Sequence, residues 1–402
     1  MTNRARIIAS LAKRHRAERR LRLYGKLAIS FAVFMLVYLM WSIFSPGIQG
    51  FMRHEVRLDI ATAKDHYEAT AASVKALAPE AESVADKRDL TKLIGTFAAF
   101  EVRDALREGD TEVWVPLGDL ADQLLKGKID KRLPEYQRPI NDKQLAWLER
   151  WQSEGRIHYG FNTNLFTAGD SRAPEGAGFL GSIIGSLWLL LVCMVAALPV
   201  AIMAAIYLQE FAPKNRFTTA LEVSINNLAA VPSILYGLLG LSVFLQVFGM
   251  PRSSALVGGL TIAMLILPVM IIATRAAIAA VPSSMRDAAF GLGASPIQAV
   301  RHHVLPYALP GIMTGIILGV ARAIGETAPL LMIGMVAFVA DLPRHPLDAA
   351  TAMPVQIYLW ASSPEMGFVE KTSAGIIILL ALLMVLNALA ITIRNRYELR
   401  WG

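Results

Sequence analysis

An all-α, polytopic membrane fold is what this sequence predicts, and two observations carry that prediction. Of its 402 residues 54% are hydrophobic and only 18% charged, which leaves too little polar surface to cover a soluble core of such apolar weight. The apolar residues also collect in runs of about 20 or more, the length that crosses roughly 30 Å of hydrocarbon at 1.5 Å per residue. Six runs are read, at Leu23–Phe44, Phe179–Leu208, Leu221–Phe248, Leu256–Val281, Tyr307–Ile333 and Ala374–Ile393. The tail of the fifth, after Glu326, admits a re-entrant or surface segment as well as plain helix.

The first element is a basic tail, 1–22, with Arg4, Arg6, Lys13, Arg14, Arg16, Arg19, Arg20 and Arg22 against a single acid, Glu18. A basic arm can bind nucleic acid, but directly before a spanning run it sets topology and meets anionic lipid. The tail is therefore expected in the cytoplasm. The run 23–44 reads as an uncleaved anchor, because Pro46-Gly47-Ile48 offers no small-x-small cleavage site. Six crossings return the C-terminus, with Arg394, Arg396 and Arg400, to the same side. Lys214 and Arg216, then Arg286 and Arg301, make the intervening cytoplasmic loops basic as well.

Residues 45–178 break the apolar pattern with 18 Lys/Arg and 22 Asp/Glu and no spanning run. They are expected as a mostly helical extracytoplasmic domain, large enough for its own core. Arg53–Ala78 and Asp89–Glu108 carry apolar residues at helical spacing. Asn141–Glu154 opens on a capping residue and sets Leu145, Leu148 and Trp151 on one face. Val113-Trp114-Val115 reads as a short strand before Pro116, and 168–178 as a linker back to the membrane. His54, His66 and His158 are too scattered for a metal site. The single cysteine, Cys193, sits inside the second run and reads as packing.

The stretch from Val281 to Gly334 is richest in chemistry. Pro282-Ser283-Ser284 ends the fourth run, and Ser284 with Asp287 makes a capping-box pattern for a new short helix. Ala288, Ala289, Gly291 and Gly293 keep the next surface small. Ser295-Pro296 starts a second short helix, serine at the cap and proline at the first position, which carries Arg301 before Pro306 and Pro310 reopen the membrane. A helix–glycine–helix elbow on the cytoplasmic side results, shaped to sit in a groove on another protein. The alternative is an inert connector in which Asp287 only caps its own helix.

The segment RDAAFGLGASPIQAVRHHVLPYALPGI resembles the EAA loop of ABC importer permeases, with Asp287 where that family carries Glu. The resemblance implies the type I importer permease fold and makes the elbow, 282–306, the coupling loop that docks on an ATPase. Asp287, Ala288, Ala289, Gly293 and Arg301 are then the coupling residues. The stretches NNLAAVPSILYGLLG and RAIGETAP further resemble the phosphate-uptake branch of that family. The implied organisation is a tail (1–22), a first transmembrane helix (23–44), an extracytoplasmic domain (45–178) and a permease core of five helices (179–402).

Arg322 and Glu326 are charges inside an apolar run, which are costly there and functional by default. Four residues apart they share a helical face. A guanidinium fork matches the oxygens of an oxyanion, so Arg322, Glu326 and Thr327 are expected along an anion path. Mutual neutralisation that only holds the helix in register is the other reading. Asn226, Asn227 and Ser233 are expected to hydrogen-bond between helices, Pro232 and Pro268 to kink or break theirs, and Arg275 to snorkel. Gly311 and Gly315 allow close helix contact.

The resemblance implies a permease subunit that moves phosphate into the cytoplasm of a bacterium across its inner membrane. Its implied partners are a homologous permease, two ATP-binding-cassette subunits, an extracytoplasmic phosphate-binding protein and membrane lipid, without nucleic acid. No G-x-x-x-x-G-K-[ST] loop occurs in the chain, so no cofactor is expected on it; ATP and Mg belong to the ATPase. Sulfate, molybdate or phosphonate are alternative cargoes. A membrane sensor is the alternative of another class, disfavoured because only residues 394–402 follow the last run. No nucleophile, base and metal set suggests an enzyme.

Overall fold

The structure is a computed structural model that describes residues 3–60, 65–95 and 97–397. Arg400 and the side chains of Arg4, Arg6, Lys13 and Arg14 lie outside that description. Helix α1 (Asn3–Gly50) runs unbroken through the first apolar run and six residues past it, with Pro46 inside. From Leu21 to Leu39 its large apolar side chains are exposed, as a helix bathed in hydrocarbon requires. Only its C-terminal end packs, where Gly47 and Gly50 approach Ser373, Ile377 and Glu370 of the last helix.

The stretch beyond α1 is built as β1 (Met52–Asp59), α2 (His66–Leu77), α3 (Val84–Ile94), α4 (Ala98–Glu108), β2 (Glu112–Pro116), α5 (Asp119–Leu125), α6 (Asp142–Ser153), β3 (Ile157–Phe161) and the single turn α7 (Asn164–Thr167). The strands form one antiparallel sheet in the order β2-β1-β3, with Val56 facing both Val115 and Ile157. The helix expected over 53–78 is thus a strand followed by a helix. Val56 and Leu58 are both fully buried, and a spacing of two puts both on one face of a strand, not of a helix. The helix expected over 89–108 is two, split at Gly95 (φ 76°), which closes α3. Val113–Val115 do form a strand. Asn141 caps α6 in a reciprocal box with Gln144 and turns Leu148 and Trp151 into a core shared with Leu58, Leu90, Leu93 and Val115.

The membrane part holds α8 (Leu180–Ile206), extended by a wider turn to Phe211, then α9 (Arg216–Ala229), α10 (Ser233–Gly240), α11 (Ala255–Ala279), α12 (Ser283–Gly291), α13 (Pro296–Ala299), α14 (Leu305–Gly325), α15 (Ala328–Met332), α16 (Met353–Ala361) and α17 (Gly367–Tyr397). Among the described residues five helices are long and apolar enough to span a membrane. A sixth span exists only as the pair α9–α10, bent by 100°. The third predicted run is therefore broken, and Pro232 at the break explains why. It lacks an N–H and disfavours helix at Val231, while the Tyr236 hydroxyl donates to the Leu228 carbonyl at 2.9 Å and re-satisfies a group the break frees. Pro268, by contrast, stands inside the uninterrupted α11.

Helix α11 is the buried axis of the bundle, flanked by α8 and α14. Glycines permit the second contact: a Cβ on Gly311 or Gly315 would lie 2.7 Å from the methyl of Ala277 or Ala273, well inside the ordinary carbon contact of about 3.5–4.0 Å. Cys193 is fully buried in this core.

Candidate functional site

The elbow is α12, α13 and the wide turn Val300–Val304. Ser284 lies inside the first turn of α12. Pro282 holds the cap position without a side-chain bond, so the capping box expected of Ser284 and Asp287 is not formed. The reason is that the helix begins two residues earlier than a cap at Ser284 would set it, at Ser283, where the fixed torsion of Pro282 starts it. Ser295 does cap α13, in a reciprocal box with Gln298 and with Pro296 in the first turn. Between the two helices Gly293 takes φ 84° with open space around it. Glycine is needed there for the left-handed torsion, not for room.

Of the coupling candidates, Ala289 is buried and holds α12 down, while Asp287, Ala288, Gly293 and Arg301 are exposed. The Asp287 side chain makes no hydrogen bond or ion pair among the described residues. Beside them Phe290, Leu292 and Ile297 are exposed, Leu292 by 88%. An acid and an apolar tip on a capped, small-residue elbow is a surface that a protein groove can receive.

What anchors the elbow was not legible in the sequence. Arg286 grips Glu210 at the end of α8 through two charge-assisted bonds, Nε–Oε2 at 3.0 Å and Nη2–Oε1 at 2.6 Å. It also donates to the carbonyls of Val281 and Ile278 at the end of α11. One guanidinium thus ties α12 to the ends of two spans. The only available signal was an acid closing the second apolar run and a base beginning the elbow. Arg275 gives a similar correction. It does not snorkel alone but pairs with Glu222 of α9 at 2.7 Å.

The second cluster lies where α14 ends. Arg322 stands on its last turn, and Glu326 has left the helix with extended backbone (ψ 125°). The expected shared helical face is therefore not what joins them. The chain bends so that Arg322 Nε still meets Glu326 Oε1 at 3.3 Å. Thr327 precedes α15, whose Pro329 packs on Gly237 of α10. Both breaks, Pro232 and Glu326–Thr327, thus meet through α10 and α15, with Tyr236 within electrostatic reach of Arg322. The Arg322 and Glu326 side chains keep 34% and 17% exposure, so the pair faces open space instead of a sealed core. Asn226 and Asn227 are exposed, and among the described residues no side-chain hydrogen bond joins them or Ser233 to another helix.

Two families match along the chain. Residues 8–135 match DUF3333, a domain of unknown function, and residues 197–401 match "Binding-protein-dependent transport system inner membrane component". Among curated relatives, the chain is 32% identical over 210 residues to "Probable ABC transporter permease protein YqgH" of Bacillus subtilis, covering 50% of this chain and 67% of that one. YqgI of the same organism is 32% identical over 168 residues, 42% of this chain and 56% of its own length, so little more than half of that relative is spanned. "Phosphate transport system permease protein PstA" of Haemophilus influenzae is 30% identical over 225 residues, 56% of this chain and 78% of the relative. With a bundle of several apolar helices around α11 and a family match over half its length, this chain is a multi-pass membrane protein that belongs to the inner-membrane components of binding-protein-dependent transport systems, the ABC importer permeases.

Proposed function

We propose that this chain is the phosphate permease of an ATP-driven importer, taking inorganic phosphate into the cytoplasm across the bacterial inner membrane with both termini inside. The observation that carries the reading is Arg322, a guanidinium held at a helix break in the bundle, tempered by Glu326 at 3.3 Å and open on one side. Phosphate carries one to two charges; a bare arginine would hold it and an absent one would leave its crossing uncompensated. A cation shared with a carboxylate suits brief binding, with Thr327 supplying a hydroxyl. The similarity to phosphate transport system permeases supports the same cargo.

In this reading the elbow, through Asp287, Ala288, Ala289, Gly293 and Arg301, seats on an ATPase subunit. That subunit holds ATP and Mg, and this chain binds no cofactor. A homologous permease completes the path, a second ATPase subunit seats on it, and an extracytoplasmic binding protein delivers phosphate. Closure of the ATPase pair moves the elbows, and the Glu210–Arg286 bolt passes that motion to α8 and α11.

The test is uptake of labelled phosphate at limiting concentration, in cells with and without this gene, competed by excess sulfate. Loss on deletion, restored by the gene and indifferent to sulfate, is expected. Uptake unaffected by deletion in a strain lacking other phosphate systems moves the cargo to another oxyanion. Arg322→Gln, at normal membrane levels, is expected to abolish uptake; retained uptake removes Arg322 from the path.

A further inference from the structure

The junction between the outer domain and the membrane bundle is made of buried charge. Helix α5 lies across the outer ends of the first and last helices. At its start the Asp119 carboxylate accepts from the backbone N–H of Gly367, the first residue of α17. A side chain at 367 would collide with that carboxylate. At its end Lys126, with a side chain only 5% exposed, donates to the carbonyls of Gln49, in the last turn of α1, and Met52 at 3.1 and 2.9 Å. The same ammonium meets Glu370 of α17 at 2.7 Å and Asp122 at 2.8 Å. Lys128 reaches the other oxygen of Glu370, and Lys371 donates to the Ala177 carbonyl at the end of the linker.

These charges are arranged by sign. A helix leaves N–H groups unpaired at its start and carbonyls unpaired at its end, with partial charges to match. The Asp119 carboxyl at the start of α5 accepts from the first N–H of α17, but Glu175, Asp122 and Glu370 crowd it. The sign match is therefore carried by Lys126, the base at the other end, which meets the end of α1 and the acids Glu370 and Asp122. Glu370, 3% exposed, would be untenable there without Lys126 and Lys128. Such a joint has little tolerance for sliding, because any displacement strands a buried charge.

We propose that α5 is a helix-end clamp that makes the outer domain, α1 and the start of α17 one moving body, so that the domain follows those two helices through the transport cycle. The domain is then a rigid fitting on the first and last helices, not a freely tethered receptor. The cycle itself rests on the importer reading; the clamp does not.

Nitroxides at Tyr136, 84% exposed on the outer domain, and Met384, 69% exposed on α17, report their separation; buried Cys193 stays unlabelled. The measurement uses the complete transporter, without nucleotide and trapped with ATP and vanadate. One narrow distance peak, at the same position in both states, is expected. Lys126→Met is expected to lose the narrow peak. Glu370→Gln, which keeps the shape, is expected to do the same and serves where Lys126→Met does not reach the membrane. A narrow peak surviving in the variants, or a peak that moves between states with the clamp intact, overturns the proposal. The comparison of widths needs no turnover, so failure of the clamp and failure of the importer reading are told apart.

Discussion

Replacing Arg286 with methionine removes the guanidinium that joins the elbow to α8 and leaves the Glu210 carboxylate 10% exposed without its partner. Each hydrogen bond to a charged group contributes about 1.5–3 kcal/mol, and breaking a buried pair costs about 3–5 kcal/mol. Arg286 retains 20% exposure, so water recovers part of the loss and the lower end, about 3 kcal/mol, applies. That is roughly a hundredfold shift from the seated toward the unseated elbow, at about 1.4 kcal/mol per tenfold. Reconstituted with its partners in proteoliposomes, the variant is measured by phosphate accumulated per ATP hydrolysed. Hydrolysis is expected to persist while accumulation falls by at least tenfold. Glu210→Gln is expected to act in the same direction, and the double variant should cost about 2 kcal/mol less than the sum of the singles, as for residues in direct contact. Unchanged coupling in both single variants, or effects that simply add, would refute the bolt.

The remaining predictions concern the elbow, the bundle and the clamp. Gly293→Ala forces a Cβ into φ 84° and is expected to cost about 1–2 kcal/mol, seen as a lower temperature midpoint for loss of uptake, with Gly293→Asn milder. Gly315→Leu pushes α14 off Ala273, starting from a Cβ contact of 2.7 Å. It should cost about 1–3 kcal/mol and lower the amount of chain recovered from membranes, while Gly25→Ala, with open space around it, should not. Asp119 is pushed up to about 6, by burial first and then by Glu175, Asp122 and Glu370; Arg88, Lys92 and Glu365 line the adjoining cleft. Because the clamped carboxyl binds its proton more tightly than a free one, the clamp is weakest above pH 6 and gains strength as pH falls from about 6 toward 4. Proteolysis of the outer domain should slow over that window, and Asp119→Asn should be slow at every pH.

Membrane class, the number of apolar runs and the elbow were legible because they depend on local quantities. A run of apolar residues has one low-energy place, the hydrocarbon, whatever its neighbours. The caps at Ser295 and Asn141 were legible for the same reason: a side chain bonding a backbone three residues on needs no tertiary partner. Short-range pattern misled where two local readings competed. Residues 53–59 have polar and apolar groups that suit either period, and only pairing with β2 and β3 made them a strand. The 100° break at Pro232 and the departure of Glu326 from its helix were legible only in outline. The pattern admits a kink or break at Pro232 and a re-entrant segment after Glu326. Pro268 and Pro310 nevertheless stand inside continuous helices, so residue type alone does not say which proline breaks its span.

What the sequence by itself determined is therefore which segments enter the membrane, where the elbow turns and which charges are too costly to be accidental. Only the tertiary structure decided who their partners are. Glu210 and Arg286 are 76 residues apart, and Lys126 and Glu370 are 244 apart. A buried charge announces that it must have a counter-charge, but the Coulomb energy depends on distance in space, and only the folded chain sets that distance.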